Sequence, residues 1–176
     1  MRPLILRTLL LLLFAGQAMA APPARGPEVG EIPPAHLGED ADGKPVSLAD
    51  YRGKVVVLAF WTSSCGYCLK ELPVLDALQR ELGAQALQVV AVNLRDSSKD
   101  YGAMLKQMRG YALVPVRDGS GEVGNAWGVQ IFPNLWVVAA DGRIASHRED
   151  YYEDALPGIL NGIRSAVAAA QHAPHP

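Results

Sequence analysis

The stretch VVVLAFWTSSCGYC at residues 55–68 joins an unbroken apolar run to two closely spaced cysteines. Val55 to Phe60 are apolar without alternation, which is typical of a strand buried on both faces of a parallel sheet. After Cys68, leucines recur every three or four residues up to Gly83, which predicts a helix with one buried face. Pro73 falls in the first turns of that helix and is expected to kink it. The two cysteines therefore lie where a strand passes into a helix.

Beyond this helix the chain continues to alternate apolar strands with amphipathic helices. Leu87 to Val92 is a second apolar run, interrupted by Gln88, and it again predicts a buried strand. Ser98 is expected to cap a helix that ends at Gly110 and buries one side. The residues on that side are Tyr101, Met104, Leu105 and Met108.

The last third of the chain carries a hairpin signal. Asp141-Gly142 separates two segments, 135–139 and 143–146, and this dipeptide favours a tight turn between antiparallel strands. A brief strand, a short helix and a closing helix complete the prediction, at residues 113–116, 122–127 and 154–170.

The order of these elements predicts the fold class. Strand, helix, strand, helix, hairpin and helix favour an α/β fold with a central mixed β-sheet flanked by helices. A turn at residues 40–45 followed by an edge strand at 46–48 predicts an N-terminal β-hairpin extension.

The N-terminus predicts export. Arg2 and Arg7 precede an apolar run at residues 9–15, and Ala18-Met19-Ala20 supplies small residues, so residues 1–20 are expected to be a signal peptide cleaved after Ala20. The run is far shorter than the roughly 20 residues of a spanning helix, and an N-terminal membrane anchor is the alternative. The predicted location is periplasmic.

Three further segments follow the signal. Residues 21–35 are rich in Pro, Gly and small side chains, which predicts a flexible or extended leader. Residues 36–170 are long enough for one domain, and residues 171–176 are expected to be a disordered tail. The formal net charge of −2 is small, so nucleic acid is not expected as a partner.

Both cysteines of the chain belong to the Cys65-x-x-Cys68 motif. A structural zinc site needs four ligands, and no second cysteine pair accompanies this one. Attachment of c-type haem would need histidine at position 69, which is Leu69. We therefore expect a redox-active disulfide between Cys65 and Cys68, with no metal and no further cofactor.

The position of the first cysteine predicts its reactivity. Free backbone N–H groups at the start of a helix stabilise a negative charge, and the thiolate is the species that attacks disulfides. Cys65 is therefore the expected nucleophile. Cys68, one turn inside the helix, is better placed to be shielded and to resolve a mixed disulfide.

The chain resembles the TlpA/ResA family of exported thioredoxin-like thiol:disulfide oxidoreductases, from about Gly38 to Ala170. The residues that carry the resemblance are Asp42-Gly43-Lys44, Val46-Ser47-Leu48, Tyr51-Arg52-Gly53-Lys54, Phe60-Trp61, Cys65-Gly66-Tyr67-Cys68, Glu71-Leu72-Pro73, Trp127-Gly128-Val129, Pro133 and Asp141-Gly142-Arg143-Ile144. The resemblance implies a thioredoxin-like fold.

The resemblance also implies roles for individual residues. Pro133 would be a cis proline that faces the sulfurs, and Glu71 would be a partly buried acid/base group whose pKa is raised by apolar surroundings. Substrate contacts would come from Trp61, Gly66, Tyr67 and Phe132.

Two positions depart from the family pattern. Ser64 stands where the family usually has a tryptophan before the first cysteine, and Asn134 stands where threonine usually follows the cis proline. The dipeptide Gly66-Tyr67 resembles that of exported disulfide isomerases, so the redox poise cannot be predicted.

The expected function is reduction of partner disulfides, with electrons from a membrane thiol reductase. Family members of this kind serve cytochrome c maturation or copper-centre assembly, and we expect a monomer that acts on protein disulfides. The alternatives are a disulfide oxidase or isomerase, and a Cu(I)-binding module, since thiolates suit Cu(I). An inert adaptor with the same fold is a third possibility.

Overall fold

The structure, a computed structural model, describes residues 25–149 and 155–172. Within these ranges seven strands and four α-helices form, together with a 3₁₀ helix at Leu48–Tyr51. The strands are β1 His36–Glu39, β2 Pro45–Ser47, β3 Val55–Trp61, β4 Leu87–Leu94, β5 Val114–Asp118, β6 Asn134–Val138 and β7 Ile144–Glu149. The helices are α1 Gly66–Leu82, α2 Ser98–Gln107, α3 Glu122–Ala126 and α4 Leu156–His172.

The strands form one mixed sheet in the order β2-β1-β5-β4-β3-β6-β7. β3 and β5 both run parallel to β4, whereas the hairpin strands β6 and β7 are antiparallel to their neighbours. The N-terminal hairpin β1–β2 joins the sheet by pairing Glu39 with Arg117 of β5. The fold class is the thioredoxin-like one that the sequence predicts.

The side chains of the central strand β3 contribute to two hydrophobic cores, one on each face of the sheet. All seven of its residues are buried, and successive side chains point to opposite faces. Val55, Val57, Ala59 and Trp61 pack in a core that includes residues of α1, α2 and α4. Val56, Leu58 and Phe60 pack in a second core with Trp127, Trp136 and Leu37 of the N-terminal hairpin.

Helix α1 carries the predicted apolar face. Leu72, Leu75 and Leu78 are buried, and Gly83 caps the C-terminus with a φ of 83°. Glycine suits this position because a positive φ has little steric cost without a Cβ atom. The helix continues through Pro73 as one element.

Several predicted boundaries differ from the structure. The N-cap of α2 is Ser97 and not Ser98, because the Ser97 side chain accepts the hydrogen bond from the Asp100 N–H. α4 extends to His172, so the predicted tail begins inside a helix. Strand β1 is the first strand of the predicted N-terminal hairpin, for which the sequence prediction gave no residue range.

The described part of the predicted leader lies against the sheet. The Gly30 N–H donates to the Ile144 carbonyl at 2.8 Å, and the Ile144 N–H donates to the Glu31 carbonyl at 2.9 Å. This part of the leader is thus hydrogen-bonded to the start of β7. The predicted signal peptide, its cleavage site and residues 173–176 lie outside the described residues.

None of the helices in the described part of the chain is both long enough and apolar enough to cross a membrane.

Candidate active site

The first cysteine begins helix α1, as the sequence predicts. Cys65 is the N-cap residue, with extended backbone angles, and its Sγ accepts a hydrogen bond from the Cys68 N–H at 3.1 Å. The Cys65 N–H donates to the Thr62 carbonyl at 3.0 Å, which closes the loop between β3 and α1. The sulfur therefore occupies the place that a serine or aspartate side chain takes in an ordinary helix cap.

The two cysteines form a disulfide, so the structure represents the oxidised protein. Cys65 is partly exposed, whereas Cys68 is 1% exposed and belongs to the core that α1 covers. An external thiolate or disulfide can therefore reach the first sulfur but not the second.

The helix start also determines which sulfur can hold a negative charge. Once the disulfide is reduced, a thiolate at Cys65 keeps the N–H donor of Cys68 and the positive end of the helix dipole. Such surroundings lower cysteine pKa values well below the ordinary value of about 8.5. The arrangement can support attack on a partner disulfide.

Glu71 lies three residues after Cys68 and is 4% exposed. Burial raises its pKa from 4.5 to about 7, and the positive charge of Arg148 acts in the opposite direction. Glu71 is thus buried, and the direction of its pKa shift is the one that the resemblance implies. At neutral pH this carboxyl group can both accept and release a proton.

The loop before β6 contains the predicted cis proline. The Phe132–Pro133 peptide bond is cis, and Pro133 is buried. Because Phe60 of β3 pairs with Asn134, the end of β3 that leads to Cys65 lies beside Pro133. Phe132 packs against the same core as both cysteines, with the Arg95 guanidinium 5.4 Å from its ring centroid.

The other predicted substrate contacts divide into exposed and buried residues. Gly66 and Tyr67 lie on the surface at the start of α1, and Tyr67 is 53% exposed. Ile131, which precedes Phe132 and is 49% exposed, adds an exposed apolar side chain that the sequence analysis missed. Trp61 is completely buried and packs near Tyr101, with 6.5 Å between ring centroids, so its side chain offers no surface to a substrate.

The residue after the cis proline takes part in a polar network. Asn134 is fully buried, its Nδ2 donates to Glu149 Oε1 at 3.3 Å, and its Oδ1 lies 3.2 Å from His147 Nε2. His147 in turn stacks on Trp136 at 3.5 Å between ring centroids. Burial lowers the pKa of His147, and Glu149 partly opposes this effect. No local pattern indicated this network, because its members belong to two paired strands.

A second missed group is Asp96, which follows β4 and hydrogen-bonds to Thr62 and Ser63 ahead of Cys65. Its only sequence signal is the carboxyl end of a predicted strand beside the strand that leads to Cys65. In residues 25–149 and 155–172, no group of three or more His, Cys, Asp or Glu side chains could hold a metal ion.

Comparison with known proteins agrees with this geometry. The chain is 29% identical over 142 residues to the thiol-disulfide oxidoreductase ResA of Bacillus subtilis (strain 168), covering 76% of this chain and 79% of that protein. It is 30% identical over 124 residues to the thioredoxin-like protein YneN of the same strain, covering 68% of this chain and 70% of the relative.

Two solved structures share the fold. One is a Chlorobium tepidum protein provisionally named thiol:disulfide interchange protein DsbE, with a TM-score of 0.72 and 26% identity over 81% of this chain and 99% of that one. The other is the exposed lipoprotein thioredoxin of Streptococcus pneumoniae strain TIGR4, with a TM-score of 0.59 and 29% identity over 72% of this chain and 96% of that one.

The family model described as Redoxin matches residues 21–156, which include the cysteine pair, Glu71 and the cis proline. The chain therefore belongs to the Redoxin family and is a thiol:disulfide oxidoreductase of the ResA and DsbE type.

Proposed function

We propose that the protein reduces disulfides of partner proteins outside the cytoplasm. The observation that carries this proposal is the unequal exposure of the two sulfurs, with Cys65 accessible at a helix N-cap and Cys68 buried behind it. This asymmetry supports a fixed order of attack, in which Cys65 meets the partner and Cys68 completes the exchange.

The exchange has two balanced steps. The Cys65 thiolate attacks one sulfur of the partner disulfide, which forms a mixed disulfide and releases the other partner sulfur as a thiolate. Cys68, after losing its proton, attacks the Cys65 sulfur and releases the partner as a dithiol. The products are a reduced partner and the Cys65–Cys68 disulfide seen in the structure.

Several other residues assist in this scheme. Glu71 accepts the proton of Cys68, which its burial and raised pKa support. The backbone before Pro133 pairs with an extended segment of the partner, while Gly66, Tyr67 and Phe132 contact it. The exposure of Tyr67 and the position of Phe132 against the core of the cysteines support these contacts.

Turnover requires that the Cys65–Cys68 disulfide be reduced again. We assign this step to a membrane thiol reductase, which supplies two electrons per cycle. Residues 1–20 support export to the periplasm, with cleavage after Ala20 or retention as a membrane anchor. The family resemblance favours partners in cytochrome c maturation or copper-centre assembly, and a monomeric protein.

The oxidase or isomerase alternative rests on Gly66-Tyr67, which resembles the dipeptide of exported isomerases. The Cu(I)-binding alternative has less support, because Met108 is 7% exposed and Met104 packs against the same core. Core packing explains both methionines.

Trapping the mixed disulfide tests the proposed order of attack. A Cys68→Ser variant should accumulate partner adducts that dithiothreitol releases, whereas the matched Cys65→Ser variant should form none. Equal trapping by both variants would contradict the assignment. The equilibrium potential against glutathione tests the direction, and a value far above the glutathione couple would exclude a reductase.

A further inference from the structure

The carboxylate of Asp96 is surrounded by four hydrogen-bond donors. Oδ1 accepts from Thr62 Oγ1 at 2.6 Å and from Ser63 Oγ at 3.0 Å. Oδ2 accepts from the Ser63 N–H at 2.9 Å and from Asn93 Nδ2 at 2.7 Å. Three of these donors belong to the loop that leads to Cys65. Asp96 therefore connects that loop to the end of the neighbouring strand.

The backbone around Asp96 is itself held in place. Arg95 adopts a positive φ of 67°, which is uncommon for a residue with a Cβ atom and turns the chain sharply after β4. The Asp96 carbonyl accepts a hydrogen bond from Arg117 Nη2 at 3.2 Å. Ser97 then caps α2. The Asp96 carboxylate thus belongs to a turn whose position is fixed by β4, β5 and α2.

The same loop is also hydrogen-bonded to the reactive cysteine. The Thr62 carbonyl accepts the Cys65 N–H at 3.0 Å, so the residue that Asp96 binds through its hydroxyl also binds the helix N-cap through its backbone. Ser64 alone separates the Asp96-bound residues from Cys65, and it is exposed.

We propose that Asp96 is a positioning residue for Cys65, holding Thr62 and Ser63 so that the sulfur stays on the N–H groups at the start of α1. This inference rests on the proposed attack by Cys65. It adds to that proposal a residue 31 positions along the chain that touches neither sulfur.

The negative charge of Asp96 and its hydrogen bonds to the loop change the pKa of Cys65 in opposite directions. Burial alone would raise the pKa of Asp96, but hydrogen bonds from Thr62, Asn93 and Ser63 keep it below its ordinary value, so the group is ionised at neutral pH. Arg117 of β5 is the charged side chain that bonds to this residue. A negative charge near a thiolate raises the cysteine pKa, so its removal would lower that pKa. Loss of positioning would instead raise it.

Variants of Asp96 and of Thr62 separate the effect of the charge from the effect of the positioning. Asp96→Asn keeps the shape of the side chain but places an amide N–H group against the donors of Ser63 or Asn93. Thr62→Val removes the hydroxyl donor and leaves the charge of Asp96 in place. In the reduced full-length protein, the pKa of Cys65 is measured from its alkylation rate as a function of pH. Thr62→Val should raise this pKa by about one unit, and Asp96→Asn should raise it by less, because the loss of the negative charge acts in the opposite direction.

The double variant and a control complete the test. If Asp96 acts through Thr62, the double variant should raise the pKa no further than the larger single change. Asp100→Asn is the matched control, because Asp100 bonds to Ser97 at the start of α2 and not to the loop. It should leave the Cys65 pKa unchanged.

Three results would overturn the inference. A lower Cys65 pKa in Asp96→Asn with no change in Thr62→Val would show that only the charge matters. An unchanged pKa in both variants, or fully additive changes in the double variant, would also exclude positioning through Thr62. By contrast, an ordinary cysteine pKa for Cys65 in the wild-type protein would refute the proposed function itself.

Discussion

Glu71 is a carboxyl group in a place where a charge is unfavourable. It is 4% exposed on α1, and burial raises its pKa to about 7, with Arg148 of β7 acting against this rise. An ordinary glutamate is fully ionised at neutral pH and cannot donate a proton there. The sequence predicted this state because the family resemblance placed a glutamate one turn after the second cysteine. The contribution of Arg148 could not be predicted, because β7 is far away in sequence.

The first prediction concerns the pH dependence of stability in Glu71→Gln. The folded-state pKa of Glu71 is raised, so its stabilising protonated form is fully present below pH 4.5 and is lost as the pH rises through about 7. The wild type should therefore lose about 2–3 kcal/mol relative to the variant between pH 5 and pH 8. Urea denaturation at both pH values measures the difference.

Glu81→Gln is the matched control for this prediction. Glu81 lies on the same helix, is exposed, and bonds to Arg164, whose hydrogen bond lowers the pKa of Glu81. Because the pKa of Glu81 is lowered and not raised, its replacement should change the pH dependence between pH 5 and pH 8 very little. An equal pH dependence in wild type and Glu71→Gln would show that Glu71 is already ionised at pH 5.

Helix α2 shows how far local patterns define an element. The sequence offers two adjacent serines, and either can accept a backbone hydrogen bond at a helix start. In the structure Ser97 Oγ accepts the Asp100 N–H at 3.1 Å and donates to Asp100 Oδ2 at 2.6 Å. The boundary is set by the turn at Arg95 and Asp96 before it, which no helix pattern contains. The sequence prediction was therefore right about the helix and wrong by one residue about its cap.

The second prediction compares the two serines. Ser97→Ala removes the cap of α2 and should lower the free energy of unfolding by about 1 kcal/mol. Ser98→Ala replaces an exposed first-turn residue and should change it by no more than about 0.5 kcal/mol. Chemical denaturation of both variants under the same conditions gives the comparison. A larger loss in Ser98→Ala would favour the cap that the sequence first indicated.

Polar side chains of α1 bond to the segment before β5, and the sequence could not predict these contacts. Asp76 is a charged residue of α1, yet it is 6% exposed and accepts hydrogen bonds from the Ala112 and Leu113 N–H groups. Gln79 similarly donates to the Ala112 carbonyl at 2.6 Å. These bonds attach α1 to the segment before β5. The leucine spacing predicted the apolar face of α1, but polar anchors depend on which segment packs beside it.

The N-terminal hairpin approaches β5 closely at one point. The hairpin β1–β2 reaches the rest of the sheet where Glu39 pairs with Arg117, and Gly38 lies directly beside this point. Gly38 has a φ of 109°, and a Cβ atom there would lie 2.5 Å from the Arg117 carbonyl oxygen. Leu37, next to it, is fully buried in the second core. The turn at Asp42-Gly43 predicted the hairpin, but the sequence could not show which strand the hairpin joins.

The third prediction uses two glycines of this hairpin. Gly38 and Gly43 both have positive φ angles, so alanine at either position has a strain of about 1–2 kcal/mol. At Gly43 a Cβ atom meets nothing within 4 Å, and this strain is the whole expected loss. At Gly38 the Cβ atom also collides with the backbone of β5, which should add about 1–3 kcal/mol. Urea denaturation should thus find Gly38→Ala less stable than Gly43→Ala, whereas equal losses would mean that the hairpin can move away from β5 without weakening the fold.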